Sequence, residues 1–269
     1  MDINTLYVQT QGSFRNEAII FLHAFPMTSD MWKEQMSFFS KTHYTLAPDL
    51  PGFGKGVLPF HAITFEHYVD AVISFLREAG IKRSIWCGLS MGGYLAMRMY
   101  ERAPELCSGL ILANTKAAAD DNAAKEKRWS TIKMLHSHRE EFIAKQWHAM
   151  VSKSSLEKVK LKKCFQEIVS KSDEEGISAG LVSLATRMDN TETLAHITVP
   201  TLILAGEHDK IIPLSEMQFL QENIQGSRLE IIKGTGHLSN MENPDDFNKV
   251  IADFLASLHT DHVNSSLLN

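Results

Sequence analysis

Cysteine is scarce. Cys87, Cys107 and Cys164 stand far apart in 269 residues and form no Cys-x-x-Cys pair. That excludes a disulfide framework and a thiolate metal site, and an odd, sparse set points to reduced thiols in a cytoplasmic setting. Long apolar runs are missing too: none approaches the ~20 residues of a membrane-spanning helix, so no membrane partner is expected. Met1-Asp2-Ile3-Asn4 carries neither a basic nor an apolar stretch, so no secretory signal is expected. Nor is there an excess of positive charge. The formal net charge of −5 leaves no global case for nucleic acid as a partner. Repeats and low-complexity blocks are absent.

What remains is ordinary in bulk, 44% hydrophobic and 22% charged, and long enough to bury a core without staples. Short apolar runs of β type recur at Ala18–Leu22, Tyr44–Ala47, Ser84–Cys87, Leu110–Ala113, Thr201–Ala205 and Leu229–Ile232. Helical segments separate them: Met31–Phe39, Phe65–Ala79 closed by Gly80, and Tyr94–Ala103 stopped before Pro104. A last helix to about Leu258 has Asn243 as N-cap and Pro244 in its first position. Continuous apolar strands alternating with helices predict an α/β protein with a mostly parallel central sheet flanked by helices. The alternation breaks once. Residues 116–190 hold helical segments and no convincing strand, and read as a helical lid inserted into a core of residues 1–115 and 191–258. Residues 259–269 read as a polar C-terminal tail.

Gly88-Leu89-Ser90-Met91-Gly92 joins an apolar strand to a helix. A Gly-x-Ser-x-Gly in that position is a nucleophile elbow, a turn so sharp that its serine is strained and its glycines make room for crossing backbone. A serine hydroxyl is a weak nucleophile and needs a base, which needs an orienting acid. Asp209, in Gly206-Glu207-His208-Asp209, and His237, in Gly234-Thr235-Gly236-His237, each follow a strand, at the sheet edge where α/β proteins place their chemistry. Glu207 competes as the acid but stands closer to its strand. His208 competes as the base but, beside Asp209, needs a backbone reversal to meet both partners. The oxyanion of an acyl transfer needs two amide donors. Met91, directly after the serine, supplies one. Phe25, in His23-Ala24-Phe25-Pro26 after the first apolar strand, supplies the other, with Pro26 biasing it toward extended backbone. His23 reads as a structural histidine of that loop.

On those motifs, with Asp49-Leu50-Pro51-Gly52-Phe53-Gly54, residues 15 to 258 resemble the α/β-hydrolase superfamily, and within it the small lidded carboxylesterases, 3-oxoadipate enol-lactonases and pimeloyl-carrier-protein methyl ester esterases. The resemblance implies Ser90 as nucleophile, Asp209 as acid, His237 as base, Phe25 and Met91 at the oxyanion hole, and no cofactor or metal. Ala24 departs from the usual His-Gly of the oxyanion loop. The implied activity is hydrolysis of a small carboxylic ester or lactone through an acyl-enzyme. Carbon–carbon bond hydrolysis or lysis on the same scaffold, and a ligand receptor with little turnover, stay open.

The lid carries 14 Lys and Arg against 11 Asp and Glu, and the remainder 13 against 21. Lys153, Lys158, Lys160, Lys162 and Lys163 cluster within it, a solvated face or a docking surface for an acidic carrier protein. Lys116 is a candidate contact for a substrate carboxylate. Trp129 and Trp147, with Met134, Leu135, Phe142 and Met150, form lid core or line an acyl pocket, and both tryptophans are candidate substrate-binding residues.

Overall fold

A computed structural model describes residues 5–59 and 63–266, without the side chains of residues 259–266. Residues 1–4, read above for a secretory signal, and the end of the polar tail lie outside the described residues. In chain order the elements are β1 (Tyr7–Gln11), β2 (Ala18–Leu22), α1 (Lys33–Phe39), β3 (Tyr44–Asp49), α2 (Phe65–Glu78), β4 (Ser84–Leu89), α3 (Met91–Arg102) and β5 (Cys107–Ala113). Four helices follow, α4 (Asn122–Ser137), α5 (Arg139–Met150), α6 (Val159–Val169) and α7 (Glu174–Ala185). The chain closes with β6 (Thr201–Gly206), α8 (Leu214–Asn223), β7 (Arg228–Ile232), α9 (Ser239–Glu242) and α10 (Pro244–Ser266).

The strands make one sheet in the order β1-β3-β2-β4-β5-β6-β7. Every neighbouring pair is parallel except β1 with β3. This is the mostly parallel, helix-flanked α/β sheet expected from the apolar runs, with one strand added. In Tyr7–Gln11, Tyr-Val-Gln-Thr-Gln, no residue is fully buried. An edge strand covers little apolar surface, so its polar sequence gives no hydrophobic signal.

The central strands are apolar because both sheet faces are covered. Successive side chains alternate between faces. Ile20, Leu22, Trp86, Leu110, Leu112 and Ile203 pack with α2, α3 and α8 in one apolar cluster. Ile19, Phe21, Ile85, Cys87, Ile111 and Leu202 pack with α1, α10 and the inserted helices in the other. Asn243 Oδ1 accepts the Asp246 N–H at 3.3 Å, so the cap at the start of α10 sits where the Asn-Pro pair foretells it. The helix itself runs past Leu258 to Ser266.

Between β5 and β6 the described residues contain helices but no strand. Where this insertion leaves and rejoins the core, the Asn190 N–H donates to Ala117 O at 3.1 Å and ties its two ends together.

Candidate active site

Four neighbouring strands each deliver one polar residue to the same sheet edge. β4 ends at Leu89 and α3 begins at Met91, so Ser90 is the joint between them. Its backbone stands at φ 54, ψ −111, a region L residues avoid and hold only when their surroundings over-determine it. Those surroundings are close backbone. A Cβ on Gly88 would lie 2.1 Å from Gly92 O, and one on Gly92 would lie 2.0 Å from Leu22 O. The Ser90 N–H donates to Ala113 O at 2.9 Å, and Thr115 Oγ1 donates to Ser90 O at 2.9 Å, fixing the elbow to the end of β5.

Asp209 lies in the turn after β6. Its Oδ1 accepts the N–H groups of Ile211 at 2.8 Å and Ile212 at 3.0 Å. Its Oδ2 accepts from Asn114 Nδ2 at 2.8 Å and faces His237 Nδ1, also at 2.8 Å. Burial by itself would raise the pKa of this carboxyl. The adjoining imidazole and the hydrogen bonds from His237, Asn114 and Ile212 overcome that and hold it below the ordinary carboxylate value. An ionised carboxylate only accepts, so Nδ1 of His237 carries the proton and the basic lone pair sits on Nε2. The His237 side chain is 1% exposed.

Ser90 and His237 line one cavity of about 460 Å³, with Phe25 and Lys116 also in its wall. Among the described residues neither the Phe25 nor the Met91 backbone N–H donates to a protein acceptor. The Phe25–Pro26 peptide is cis. His23 is a buried structural member of that loop: Nε2 accepts the Leu50 N–H at 3.2 Å and Nδ1 donates to Ala24 O at 3.0 Å. Burial holds its pKa below the ordinary histidine value, despite the Ala24 hydrogen bond and the nearby Asp49 charge. Asp49 accepts the N–H groups of Ser29 at 2.8 Å and Lys55 at 2.9 Å, a turn-forming role.

The competing acid and base go elsewhere. Glu207 accepts the Gly234 N–H at 2.8 Å and pairs with Lys233 at 3.3 Å, with His208 3.7 Å away at the surface. Neither lines the cavity.

Two residues essential to the geometry carry no motif. Asn114, at φ 45 and fully buried, donates to Asp209 and accepts from Ser239 Oγ at 2.6 Å. Glu242, also buried, accepts the Gly236 N–H through Oε1 at 2.8 Å and the Ser152 N–H through Oε2 at 2.9 Å. It binds the residue before His237 to the chain leaving α5. Only the three-dimensional meeting of distant segments reveals either one.

The two tryptophans are corrected. On α4 the cavity face is Ala124, Lys127, Arg128, Thr131 and Met134, at helical spacing, and Trp129 falls off that face and is 48% exposed. On α5 the cavity meets Lys145, Gln146, Ala149 and Met150, whereas Trp147 is buried with its ring 5.5 Å from that of Phe165 on α6. Helical phase decides both, and the insertion's composition does not reveal that phase. Lys153, Lys158, Lys160, Lys162 and Lys163 are exposed and away from the cavity wall.

Comparison with known proteins agrees with this architecture. The family model described as alpha/beta hydrolase fold matches residues 17–244. The chain is 26% identical over 247 residues to 3-oxoadipate enol-lactonase 2 of Acinetobacter baylyi, covering 90% of each. It is 28% identical to the pimeloyl-[acyl-carrier protein] methyl ester esterase of Vibrio vulnificus, covering 90% of this chain and 94% of that one. Among solved structures, a thermophilic esterase from Thermogutta terrifontis with malate bound superposes with a TM-score of 0.89 at 27% identity, over 94% of each chain.

Proposed function

The chain belongs to the alpha/beta hydrolase fold family, and on that premise we propose that it is a serine hydrolase of small carboxylic esters or lactones. The observation that carries the reading is the Asp209–His237 hydrogen bond of 2.8 Å, with His237 and Ser90 in the wall of one cavity. His237 Nε2 takes the proton of Ser90 Oγ as that oxygen attacks the carbonyl carbon. Asp209 holds the imidazole in the required tautomer and offsets the charge it gains. The Phe25 and Met91 N–H groups, without a protein acceptor among the described residues, stabilise the oxyanion. His237 returns the proton to the departing alkoxide, leaving an acyl ester on Ser90. Water, deprotonated by the same imidazole, then releases the acid. A lactone follows the same path with its leaving group still tethered. The enol-lactonase and methyl ester esterase relatives support this choice of bond.

A panel of p-nitrophenyl esters from acetate to decanoate, run on wild type and Ser90→Ala, tests the reading. Turnover that peaks at short acyl chains and disappears in the variant is the expected result. Turnover surviving in Ser90→Ala, or an intact protein that neither turns over any ester nor labels at Ser90 with a fluorophosphonate, overturns it.

A further inference from the structure

Resting on the hydrolase reading of this cavity, we propose that Arg128, with Lys116 and Lys127, forms an anion-binding subsite, so that the ester or lactone taken carries a free carboxylate remote from the bond broken. Four cations line the cavity, Lys116, Lys127, Arg128 and Lys145, against one acid, Asp120. All four cations belong to the insertion, which is basic, whereas the whole chain carries a formal net charge of −5.

Asp120 is not available to repel an anion. Its Oδ1 accepts from Arg187 Nη1 at 2.5 Å, in a pair whose side chains are 3% and 1% exposed. Arg187 also donates to Leu184 O at 3.0 Å and Ala118 O at 2.6 Å, and its guanidinium lies 4.1 Å from the centre of the Tyr94 ring. The Asp120–Arg187 pair is thus a neutral, buried foundation. Asp120 Oδ2 accepts from Arg128 Nε and fastens the guanidinium to that foundation by one nitrogen. Among the described residues the two terminal nitrogens of Arg128 donate to no protein acceptor. A guanidinium fixed at Nε with its fork unoccupied is pre-organised for the paired oxygens of a carboxylate.

Lys116, partly buried after β5, and Lys127, on the same face of α4 as Arg128, add charge without an ion pair among the described residues. Lys145 is already paired with Glu141 at 2.7 Å and stays outside the subsite. Apolar groups, among them Tyr94, Met134, Leu181 and Ile212, complete the wall. The cavity therefore offers a nucleophile, an apolar stretch and a fixed cation, which matches a short half-ester or a lactone with a carboxylate arm.

The test compares monomethyl adipate with the neutral methyl ester in which the free carboxyl is capped as a primary amide. Wild type is expected to favour the carboxylate by about tenfold or more in kcat/KM, as charge-assisted bonding predicts, and added salt should shrink the ratio. In Arg128→Gln and in Lys127→Gln the ratio falls toward one, chiefly through KM, and Arg128→Lys recovers part of it. A ratio near one in wild type, or one unchanged in both variants, overturns the subsite. Lys127 is exposed, so its variant carries the test if Arg128→Gln fails to fold. Adipate binding to Ser90→Ala protein separates the two readings. Esters turned over without preference leave the hydrolase standing and remove the subsite. Saturable adipate binding that Arg128→Gln weakens, without turnover of any ester, does the reverse. Neither turnover nor adipate binding overturns both.

Discussion

Asn114 Nδ2 donates to Asp209 Oδ2 at 2.8 Å, the same oxygen that faces His237 Nδ1 at 2.8 Å. The first residue after β5 therefore shares one carboxylate oxygen with the imidazole. Its positive φ suits asparagine, which enters the left-handed region more readily than most residues.

Asn114→Gly keeps that backbone geometry and deletes the donor. A hydrogen bond to a charged group is worth about 1.5–3 kcal/mol, so kcat should drop roughly tenfold or more while KM changes little. Steady-state kinetics on one ester measures it, and an unchanged kcat would show that Asp209 is held adequately by Ile211 and Ile212 alone.

Ser90→Gly separates strain from chemistry. A non-glycine residue at φ 54 stores on the order of 1–3 kcal/mol, and glycine releases part of it against a larger unfolded-state entropy. The expected protein has no esterase turnover and a Tm up to about 2–4 °C above wild type. Scanning calorimetry reads the shift, and a lower Tm would contradict the strain.

His23 makes stability pH-dependent. Burial holds its folded-state pKa below the ordinary histidine value, so as the pH falls the unfolded chain binds the proton first. The stabilisation is fully present above about pH 6.5, declines below it, and levels off once the folded form also protonates. Protonation would turn Nε2 into a donor facing the Leu50 N–H. His23→Gln can donate and accept as the neutral ring does but does not titrate. Urea unfolding at pH 7 and pH 5 should show wild type losing more stability than the variant, and equal losses would count against the assignment.

Glu242→Ala leaves two buried N–H groups, of Gly236 and Ser152, without an acceptor. Each costs about 1–3 kcal/mol, and His237 loses the anchor of its loop. Stability and kcat should fall together, with Glu242→Gln, which keeps one acceptor oxygen, between the two. A variant as active as wild type would show that the loop is held without Glu242.

Legibility in the sequence followed burial. Strands β2 to β6 are readable because both of their faces are covered, which demands continuous apolar runs, and the edge strand β7 still shows through Leu229, Ile231 and Ile232. β1 is not, since an edge strand with polar side chains leaves no such trace. Ser90, Asp209 and His237 stand beside glycines at strand ends, where local backbone geometry writes a motif. Asn114, Glu242 and Arg128 act through Asp209, Ser152 and Asp120, 95, 90 and 8 positions away, and none is flagged by its neighbours. The tryptophans were conspicuous by size alone. Which way they turn depends on how α4, α5 and α6 pack, a tertiary property.

The knot between Ala117 and Asn190 has a further meaning for descent. Because the insertion departs and returns at nearly one point, its four helices can be exchanged wholesale while the strands bearing Ser90, Asp209 and His237 keep their register. On the proposed reading, the groups that break the bond and the helices that cover them are then separable parts of one chain. An insertion transplanted from another chain would be spliced at those two residues, which already meet.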